Sequence, residues 1–400
     1  MYISQLSLTN YRNYSRLQQT FQPAPILLQG QNAQGKTNLL EAIYFLSAIT
    51  TPHARSDRQL LNWLSAKNDV LPFLRAEAWV ARNGGTAQIT ITIVKEGERY
   101  KKDVRLNGAK KRAMDVIGTL NTVLFLPEDI ALITGSPSVR RRYLDSVLCQ
   151  IDREYCRALS QYNKLITQRN ALLKELAENR RSVNQLDFWD EQLTAVGALL
   201  IVRRHDAILD LDAVARRKHR TLSDGQEGLR LYYAPSFDPH DRPRLDYQMP
   251  LITEKLPPRA IPAPPVPDVR DAFKSKLQSL RRDEIARGVT LLGPHRDDLH
   301  FLVDGVDINL FGSRGQQRTA ALSTKLAEVS LMRDKTGETP VLLLDDVMSE
   351  LDAVRRRQVI EMIERNGQAF LTTTDWNDFD ADFRALAQCF TVEQGRLIPA

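Results

Sequence analysis

A glycine-containing loop of eight residues constrains the fold of this chain more than any other segment. It reads Gly30-Gln31-Asn32-Ala33-Gln34-Gly35-Lys36-Thr37. This is the Walker A spacing, in which a loop between a strand and a helix binds phosphate groups. The flanking sequence fits, because residues 26–28 are apolar and the segment 39–46 carries apolar residues at helical spacing. The motif therefore predicts an α/β domain built around a P-loop.

The residue types of this loop suit the chemistry expected of it. Glycine is needed where backbone N–H groups must face an anion or where φ must be positive. The N-terminus of the following helix adds a favourable dipole. Lys36 is expected to reach the β- and γ-phosphates of a nucleotide, and the Thr37 hydroxyl to bind Mg²⁺. The predicted cofactors are ATP and Mg²⁺, with all eight loop residues as binding residues and Lys36 also as a catalytic candidate.

A second half of the site is predicted about three hundred residues downstream. The apolar run 341–344 ends in Asp345 and Asp346, which is the Walker B form. Asp345 is the candidate Mg²⁺ ligand, and Asp346 stands where a base that polarises the attacking water is expected. Since both Walker motifs lie on one sheet in P-loop domains, this wide separation predicts a head assembled from the two chain ends with an insertion between them.

A short polar segment lies about thirty residues before the Walker B strand and precedes a predicted helix. Residues 313–317 read Ser-Arg-Gly-Gln-Gln. This segment resembles the signature of ABC-type ATPases, whose serine and glycine meet the γ-phosphate at a helix N-terminus. Ser313, Gly315 and Gln316 are therefore candidate nucleotide-binding residues, and Asp352 fits the D-loop of the same class. Because the signature in this class faces the P-loop of a second protomer, the resemblance implies an ATP-dependent homodimer with two composite sites.

Hydrophobic periodicity divides the chain into three parts. Residues 1–127 alternate as strands do and carry the P-loop, and residues 128–287 have long helical stripes. Residues 288–400 carry the signature, Walker B and D-loop segments. The predicted fold class is α/β: an ABC-type P-loop ATPase head assembled from both chain ends, with an inserted, mainly helical arm. Prolines crowd the stretch 235–267, which predicts an extended linker, with a PxxP ligand as the alternative.

Cysteine usage and hydropathy exclude several classes of protein. The three cysteines, Cys149, Cys156 and Cys389, are odd in number and wrongly spaced for a zinc site, so they are expected to be reduced packing residues. The longest apolar runs fall far short of a membrane span, and the N-terminus lacks a secretory signal. A cytoplasmic location without a membrane partner is expected.

The charge of the chain permits a polyanionic partner. The net charge is +6 and the sequence pI is about 9.1. Basic clusters recur, and neutralisation of phosphates by such groups gives salt-dependent affinity with little sequence preference. A solvated surface is the alternative interpretation of any one cluster. The candidate DNA-binding residues lie on a predicted β-hairpin and are Lys101, Lys102, Lys110, Lys111 and Arg112.

Several segments combined narrow the resemblance to one family. They are residues 10–14, 126–129, 135–145, 293–299, 313–318 and 344–352. Together they resemble the RecF family of bacterial recombination mediators. The resemblance implies that Arg12 lies near the nucleotide. It also implies binding of duplex DNA at single/double-strand junctions near gaps, help in loading RecA during DNA repair, and RecR and RecO as partners.

Two departures from other ABC ATPases suggest slow hydrolysis. Most of them have Glu at the position of Asp346, whose side chain is one methylene shorter, and residues 372–375 lack the usual switch histidine. RecF proteins share both traits, which suits a protein that times a bound state. An ABC ATPase serving a transporter stays open as an alternative, although the insertion argues against it. An SMC-like mechanical clamp also stays open, although the arm is short.

Overall fold

The computed structural model describes residues 1–54, 56–178, 182–237 and 262–400, without the side chains of residues 350, 353, 354, 365 and 366. The chain divides into two compact units. The first unit comprises Met1–Glu128 and Glu328–Ala400, and the second unit comprises Asp129–Ala327. Residues 288–327 thus belong to the second compact unit. The division of the chain at residues 127 and 287 into ATPase head and arm stays a prediction.

An antiparallel sheet forms the β-rich lobe of the first unit. Within residues 1–54 and 56–128 it has six strands in the order β2-β1-β4-β5-β6-β7. The strands are β1 (Tyr2–Tyr11), β2 (Tyr14–Thr20), β4 (Phe73–Arg82), β5 (Gly85–Glu96), β6 (Arg99–Leu106) and β7 (Ala109–Lys110). Ile89, Ile91 and Ile93 are fully buried, as their alternation predicts. Strand β6 pairs antiparallel with β5 and carries Lys101 and Lys102, so the predicted β-hairpin is present there.

The second sheet of the first unit carries both Walker motifs. Its order in the described part of the chain is β15-β14-β3-β13-β12-β8, and the pairs are parallel except β14 with β15. The strands are β3 (Pro25–Gln29), β8 (Thr122–Phe125), β12 (Val341–Leu344), β13 (Ala369–Thr373), β14 (Gln388–Glu393) and β15 (Arg396–Pro399). Because β13 pairs with β3 on one side and β12 on the other, the two chain ends share one sheet, as the wide Walker spacing predicts.

Helices cover this sheet and line the core of the first unit. Helix α1 follows β3 after the phosphate loop and buries Leu39, Leu40 and Ile43 against the sheet. The strands β8, β12 and β13 are buried along their whole length, as is typical of a parallel sheet covered on both faces. The helices of the first unit are α1 (Lys36–Ala48), α2 (Trp63–Asn68), α3 (Ala113–Val116), α11 (Ala353–Asn366) and α12 (Ala381–Leu386).

The second unit is mainly helical. Its helices are α4 (Ala131–Thr134), α5 (Pro137–Ile151), α6 (Arg153–Ala177), α7 (Gln185–Leu222), α8 (Val266–Arg287), α9 (Ile308–Phe311) and most of α10 (Arg314–Thr336). Helices α6 and α7 run antiparallel, because Arg204 contacts Tyr155 near one end and Arg169 contacts Asp190 near the other. The predicted helical arm is therefore present, and its two long helices run in opposite directions.

Two features of the second unit differ from the sequence-based expectation. The second unit also contains a small antiparallel sheet, which was not predicted. Its strands are β9 (Leu229–Ala234), β10 (Asp298–Val303) and β11 (Val306–Asp307). The proline-rich stretch is shorter than predicted at its C-terminal end, because Pro267 lies in the first turn of α8, where its missing N–H has no intrahelical partner to lose. The rest of the predicted linker falls mostly in residues 238–261, which lie outside the described residues.

No helix among the described residues has both the length and the apolar character that crossing a membrane requires.

A candidate nucleotide site and the signature segment

The phosphate loop has the backbone geometry that its glycines permit. Gly35 has φ +118°, and a Cβ there would lie 2.5 Å from Nδ2 of Asn13. A Cβ on Gly30 would lie 2.5 Å from the carbonyl oxygen of Val392, which is backbone and cannot move aside cheaply. The loop also contains Ala33 at φ +66°. Glycine is therefore required at position 30 because the backbone of Val392 approaches it closely. At position 35 it is required by the positive φ and by the nearby Asn13 side chain.

Lys36 turns back over the loop that precedes it. Its ammonium donates to the carbonyl oxygens of Gly30 and of Gln31, the latter at 3.1 Å. Burial lowers the pKa of Lys36, while the carboxylates of Asp346 and Asp345 act in the opposite direction. A buried cation held by neutral carbonyl groups is well suited to bind an anionic phosphate in the same loop.

The two Walker motifs meet at Asp345. The Thr37 hydroxyl donates to Oδ2 of Asp345 at 2.7 Å, across 308 residues of sequence. The Thr372 hydroxyl donates to Oδ1 at 2.8 Å. Asp345 is only 8% exposed, and burial raises the pKa of its carboxyl group. A hydroxyl and a carboxylate are hard oxygen ligands of the kind that Mg²⁺ prefers, so the donor set fits this ion.

The pair of Thr37 and Asp345 also suits the way in which Mg²⁺ binds beside a nucleotide. Magnesium in nucleotide-binding proteins is commonly held by one or two carboxylates together with the phosphates and water, rather than by an all-protein cage. Thr37 and Asp345 are therefore the residues that would hold the ion beside the nucleotide.

Asp346 adopts a left-handed conformation, with φ +50°, directly after the Walker B strand. Its backbone N–H donates to the Thr372 hydroxyl at 2.8 Å, so this hydroxyl connects both aspartates. The Ser349 hydroxyl lies 2.8 Å from the backbone carbonyl oxygen of Asp346 and 3.2 Å from Oδ1 of its side chain. Asp352 caps helix α11 by accepting from the N–H of Arg355 at 2.9 Å. Thr372 lies in the segment where other ABC ATPases have the switch histidine, which this chain lacks. The role of Thr372 in orienting Asp345 was not predicted.

The predicted residue Arg12 lies against the P-loop helix. Its guanidinium is 2.7 Å from Oε2 of Glu41, a buried residue one turn after Thr37. Nδ1 of His53 forms a hydrogen bond with the other oxygen of the same carboxylate, Oε1, at 2.7 Å. This hydrogen bond to Glu41 raises the pKa of His53. Arg12 is thus attached to the helix that begins at the phosphate loop, together with Glu41 and His53, which sequence reasoning did not identify.

Two neighbours of Arg12 hold the phosphate loop directly. Nδ2 of Asn13 donates to the carbonyl of Gln34 at 2.9 Å, while its Oδ1 accepts from Asn38 at 2.8 Å. The Tyr14 hydroxyl donates to the carbonyl of Gly35 at 3.0 Å. The turn between β1 and β2 therefore supports the loop through side chains. The resemblance had singled out residues 10–14, but it assigned a role to Arg12 alone.

A cleft of about 620 Å³ opens beside the phosphate loop. One wall consists of loop residues, and the other of the hairpin formed by β14 and β15. The hairpin is fastened to the loop, because the N–H groups of Gln394 and Gly395 donate to Oε1 and to the carbonyl oxygen of Gln34 at 2.9 and 3.0 Å. The cleft adjoins Gly30 and Gln31 of the phosphate loop.

The signature segment belongs to the second unit and begins helix α10. Ser313 and Gly315 are exposed. The N–H of Gln316 donates to the Ser313 hydroxyl at 3.2 Å, and Oε1 of Gln316 accepts from the N–H of Ser313 at 3.0 Å. This reciprocal pair is a capping box. The N-terminal turn of α10 therefore presents an exposed serine whose hydroxyl oxygen already accepts a hydrogen bond.

The predicted DNA-binding cations are mostly paired with carboxylates. Lys102 is 25% exposed and lies 2.9 Å from Asp57, so it has a structural partner. Lys101, Lys110 and Arg112 lie within ion-pair distance of acidic groups on the same surface. Exposed pairs of this kind are weak and exchange readily with other anions. The three exposed cations and Lys111 stay available to phosphate, whereas Lys102 is the weakest candidate.

Comparison with known proteins assigns the class of this chain. A sequence model described as the RecF/RecN/SMC N-terminal domain matches residues 2–397. An Smc head bound to the C-terminal winged-helix domain of ScpA aligns over 100% of this chain and 98% of its own with a TM-score of 0.51 at 14% identity, which supports the fold alone. The shared sheet, the phosphate loop and the helical insertion thus define an ABC-type ATPase head of the RecF/RecN/SMC class.

Full-length relatives narrow the class to one family. The DNA replication and repair protein RecF of Roseiflexus castenholzii is 43% identical over 100% of both chains, and that of Bacillus subtilis is 37% identical over 100% of both. A solved structure of the recombination mediator protein RecF-ATP in the RecFOR pathway covers 100% of this chain and 97% of its own, with TM-score 0.84 and 31% identity. The chain belongs to the RecF family of DNA replication and repair proteins.

Proposed function

We propose that this chain is an ATP-dependent, DNA-binding recombination mediator. It binds duplex DNA near single-strand gaps as an ATP-stabilised dimer, and it helps to load RecA during DNA repair and replication restart. The observation that carries the proposal is the meeting of Thr37 and Asp345, which joins the two Walker motifs into one oxygen site beside the P-loop. The full-length similarity to DNA replication and repair proteins supports the repair role, and the similarity to a solved recombination mediator supports the recombination role.

The residues of the first unit would divide the work of nucleotide binding. Backbone N–H groups of the phosphate loop after Gly30, whose own N–H donates to the carbonyl oxygen of Thr373, and the N-terminus of α1 receive the phosphates. Lys36 neutralises them as a buried cation. Mg²⁺, when bound with ATP, supplies further charge neutralisation at the phosphates. Thr37 and Asp345 orient that ion, and Thr372 holds Asp345.

Hydrolysis by this site is expected to be slow and to reset the dimer. Asp346 is the candidate base, but its side chain is one methylene shorter than that of glutamate. A general base must reach the proton it removes at about 2.6–3.2 Å or through one water. A shorter carboxylate meets this condition less often than a glutamate at the same position. The proposed activity is therefore that of a weak ATPase used as a switch.

The exposure of the signature supports the proposed dimerisation. Ser313 and Gly315 lie on the surface of the second unit at a helix N-terminus, a natural site for an anion. In the proposed dimer each signature closes over the ATP of the other protomer, so ATP holds the two copies together. The full loop 30–37, Arg12, Ser313 and Gly315 are the proposed nucleotide-contacting residues.

DNA and protein partners are assigned through the family. The proposed ligand is duplex DNA and its junctions with single strands, with Lys101, Lys110, Lys111 and Arg112 as the first contacts to test. RecR and RecO are the proposed protein partners, which is supported by the description of the solved relative as part of the RecFOR pathway. The proposed location is the cytoplasm.

The direct test is binding of the full chain to a gapped duplex, a plain duplex and a single strand. Each would be measured with ATP, with ADP and without nucleotide, at two salt concentrations. We expect tight binding to duplex-containing DNA with ATP only, weakened at the higher salt by counterion release. Lys36→Met is the control, since it should abolish the effect of ATP. Binding that is equal in all three nucleotide states would contradict the proposal.

A further inference from the structure

The side-chain amide of Gln316 has two partners of opposite character. Its Oε1 accepts from the N–H of Ser313 at 3.0 Å, and its Nε2 donates to Oε1 of Glu227 at 3.0 Å. If the amide were rotated by 180°, its NH₂ group would face an N–H donor and its oxygen would face a carboxylate. Both contacts would then be repulsive. Glu227 therefore selects the one orientation in which Gln316 caps the signature segment.

Glu227 is itself held by a buried histidine. Its Oε2 lies 3.1 Å from Nε2 of His219, which is fully buried in the last turn of α7. The hydroxyl of Ser323, also fully buried, lies 3.2 Å from the other ring nitrogen of His219 and donates its proton to the carbonyl oxygen of Thr319 at 2.7 Å. The hydrogen bond to Glu227 is therefore the contact that fixes the imidazole, at Nε2. A side chain fixed in this way gives the Glu227 carboxylate a defined position.

The backbone around Glu227 is equally well defined. The N–H of Glu227 donates to the hydroxyl of Ser223 at 3.3 Å, and the N–H of Gly228 donates to Oδ1 of Asp304 at 2.9 Å. The preceding turn contains Asp224 and Gly225 at positive φ, +50° and +77°. The connection between α7 and β9 is therefore a structured turn that presents one carboxylate to the start of α10.

The hydrogen bonds between Gln316 and Ser313 also determine how the Ser313 hydroxyl can donate. Its hydroxyl oxygen accepts from the N–H of Gln316 at 3.2 Å, so its own proton is left free to donate outward. An exposed hydroxyl that donates outward from a helix N-terminus is what an anionic oxygen requires. If the first turn of α10 loosens, this orientation is lost although the serine itself is unchanged.

We infer that His219 and Glu227 are positioning residues for the signature serine, acting through the amide of Gln316. Gln316 was predicted to contact the nucleotide, but both ends of its amide are engaged inside the second unit. It fits a supporting role better than a ligand contact. The inference rests on the proposed function, since the group that Ser313 would meet is a phosphate oxygen of ATP bound to a second copy of the chain.

The test compares Glu227→Ala with Glu227→Gln in the full chain. Alanine removes the acceptor of the Gln316 amide, whereas glutamine keeps an oxygen for Gln316 and offers an N–H to His219. Asp212→Ala is the matched control, because it breaks an ion pair with Arg230 between the same two elements, α7 and β9, without contacting the signature.

Two measurements are made on each variant. The first is hydrogen exchange of the amides at Ser313 and Gln316 without nucleotide, and the second is dimerisation at saturating ATP. We expect Glu227→Ala to speed the exchange and weaken dimerisation, each on the order of tenfold, as loss of a hydrogen bond implies. Glu227→Gln should stay within about threefold of the wild type in both. Asp212→Ala should leave the exchange rates and the dimerisation unchanged, once any change in its overall stability has been taken into account.

Each outcome decides a separate question. Unchanged exchange in Glu227→Ala, or equal acceleration in Asp212→Ala, overturns the positioning role. If the wild type does not dimerise with ATP, the proposed function fails, while the exchange data still decide whether Glu227 orders the signature. Gln316→Ala provides a second route. If Glu227 acts through Gln316, the effects of the two substitutions should not add in the double variant.

Discussion

At the scale of single residues, the candidate site depends on one buried carboxylate. Asp345 accepts hydrogen bonds from two hydroxyls that are far apart in sequence, Thr37 on the P-loop helix and Thr372 at the end of β13. Burial disfavours the charged form of Asp345, and these two donors favour it. The hydroxyls therefore keep a carboxylate ready for a cation in a place where an unsupported one would tend to take up a proton.

Substitution of Thr372 tests this arrangement. Thr372→Val keeps the shape of the side chain but removes the donor to Asp345 and the acceptor of the Asp346 N–H. We expect the Mg²⁺ concentration needed for half-maximal ATP hydrolysis to rise about tenfold, the usual effect of losing an outer partner of a metal ligand. Thr372→Ser, which keeps the hydroxyl, should behave as the wild type. An unchanged Mg²⁺ requirement in Thr372→Val would show that the hydroxyl is dispensable.

The site residues divide into those that spacing predicts and those that it cannot. Lys36, Thr37 and Asp345 were predicted because their chemistry needs fixed residue types at fixed positions along one strand or loop. Asn13 and Thr372 were missed, because they act by hydrogen bonds across strands that only the tertiary fold brings together. A threonine or an asparagine at such a place has no local pattern that distinguishes it from others on the surface.

At the scale of elements, two of the segments that carry the family resemblance, residues 135–145 and 293–299, meet in a buried polar junction of the second unit. Arg204 on α7 donates to the Tyr155 hydroxyl at 2.8 Å, to Asp145 at 2.7 Å and to the carbonyl of Pro294 at 2.6 Å. It therefore joins α5, α6 and the turn before β10. Removing one partner of such a network leaves a buried charge unpaired, which destabilises strongly. These segments are better explained by architecture than by contact with a ligand.

His295 in this junction gives the second unit a pH-dependent stability. Its Nδ1 lies 3.0 Å from the Tyr162 hydroxyl, and its Nε2 lies 3.2 Å from the carbonyl of Thr290. A neutral imidazole satisfies both contacts by accepting at Nδ1 and donating at Nε2. Burial, with the nearby cations Arg296, Arg141 and Arg204, lowers the pKa of His295 to about 4. The folded protein therefore prefers the neutral ring.

The sign of the effect follows from proton linkage. Between pH 6.5 and about 4 the unfolded chain binds a proton at His295 that the folded chain does not, so stability falls as pH falls. The loss is at most about 3 kcal/mol over this range. Urea unfolding of the wild type and His295→Gln from pH 7.5 to 4 measures it. The difference between the two free energies should change with pH, and parallel profiles would exclude the effect of His295.

The helices and the strands were not equally predictable. The long helices of the second unit were predicted by their periodic apolar stripes. The break between α5 and α6 at Asp152 was not predicted. There the carboxylate of Asp152 accepts the N–H of Tyr155 at 3.0 Å and starts α6 as a new helix. The strand β9 was missed because its six residues follow a long helix and pair with β10 about seventy residues later in the sequence. Such non-local pairing leaves only a short local signal.

At the scale of the whole molecule, the chain ends form one ATPase unit and the middle forms the unit that carries the signature. Ser313 and the phosphate loop therefore belong to different compact units of the same chain. The proposed dimer gives this division a purpose, because each nucleotide is then contacted by the first unit of one protomer and the second unit of its partner. Binding of ATP in this arrangement shifts the equilibrium toward the dimer by mass action.

Sedimentation of the wild type and Ser313→Arg, each with ATP and with ADP, tests this central claim most directly. Arginine at this exposed position should block closure over the partner's nucleotide while ATP binding to the phosphate loop is kept. Ser279→Arg, at an exposed serine on α8, is the matched control. We expect dimers only with ATP, in the wild type and Ser279→Arg, and monomers throughout in Ser313→Arg. A normal ATP-dependent dimer of Ser313→Arg would contradict the composite site.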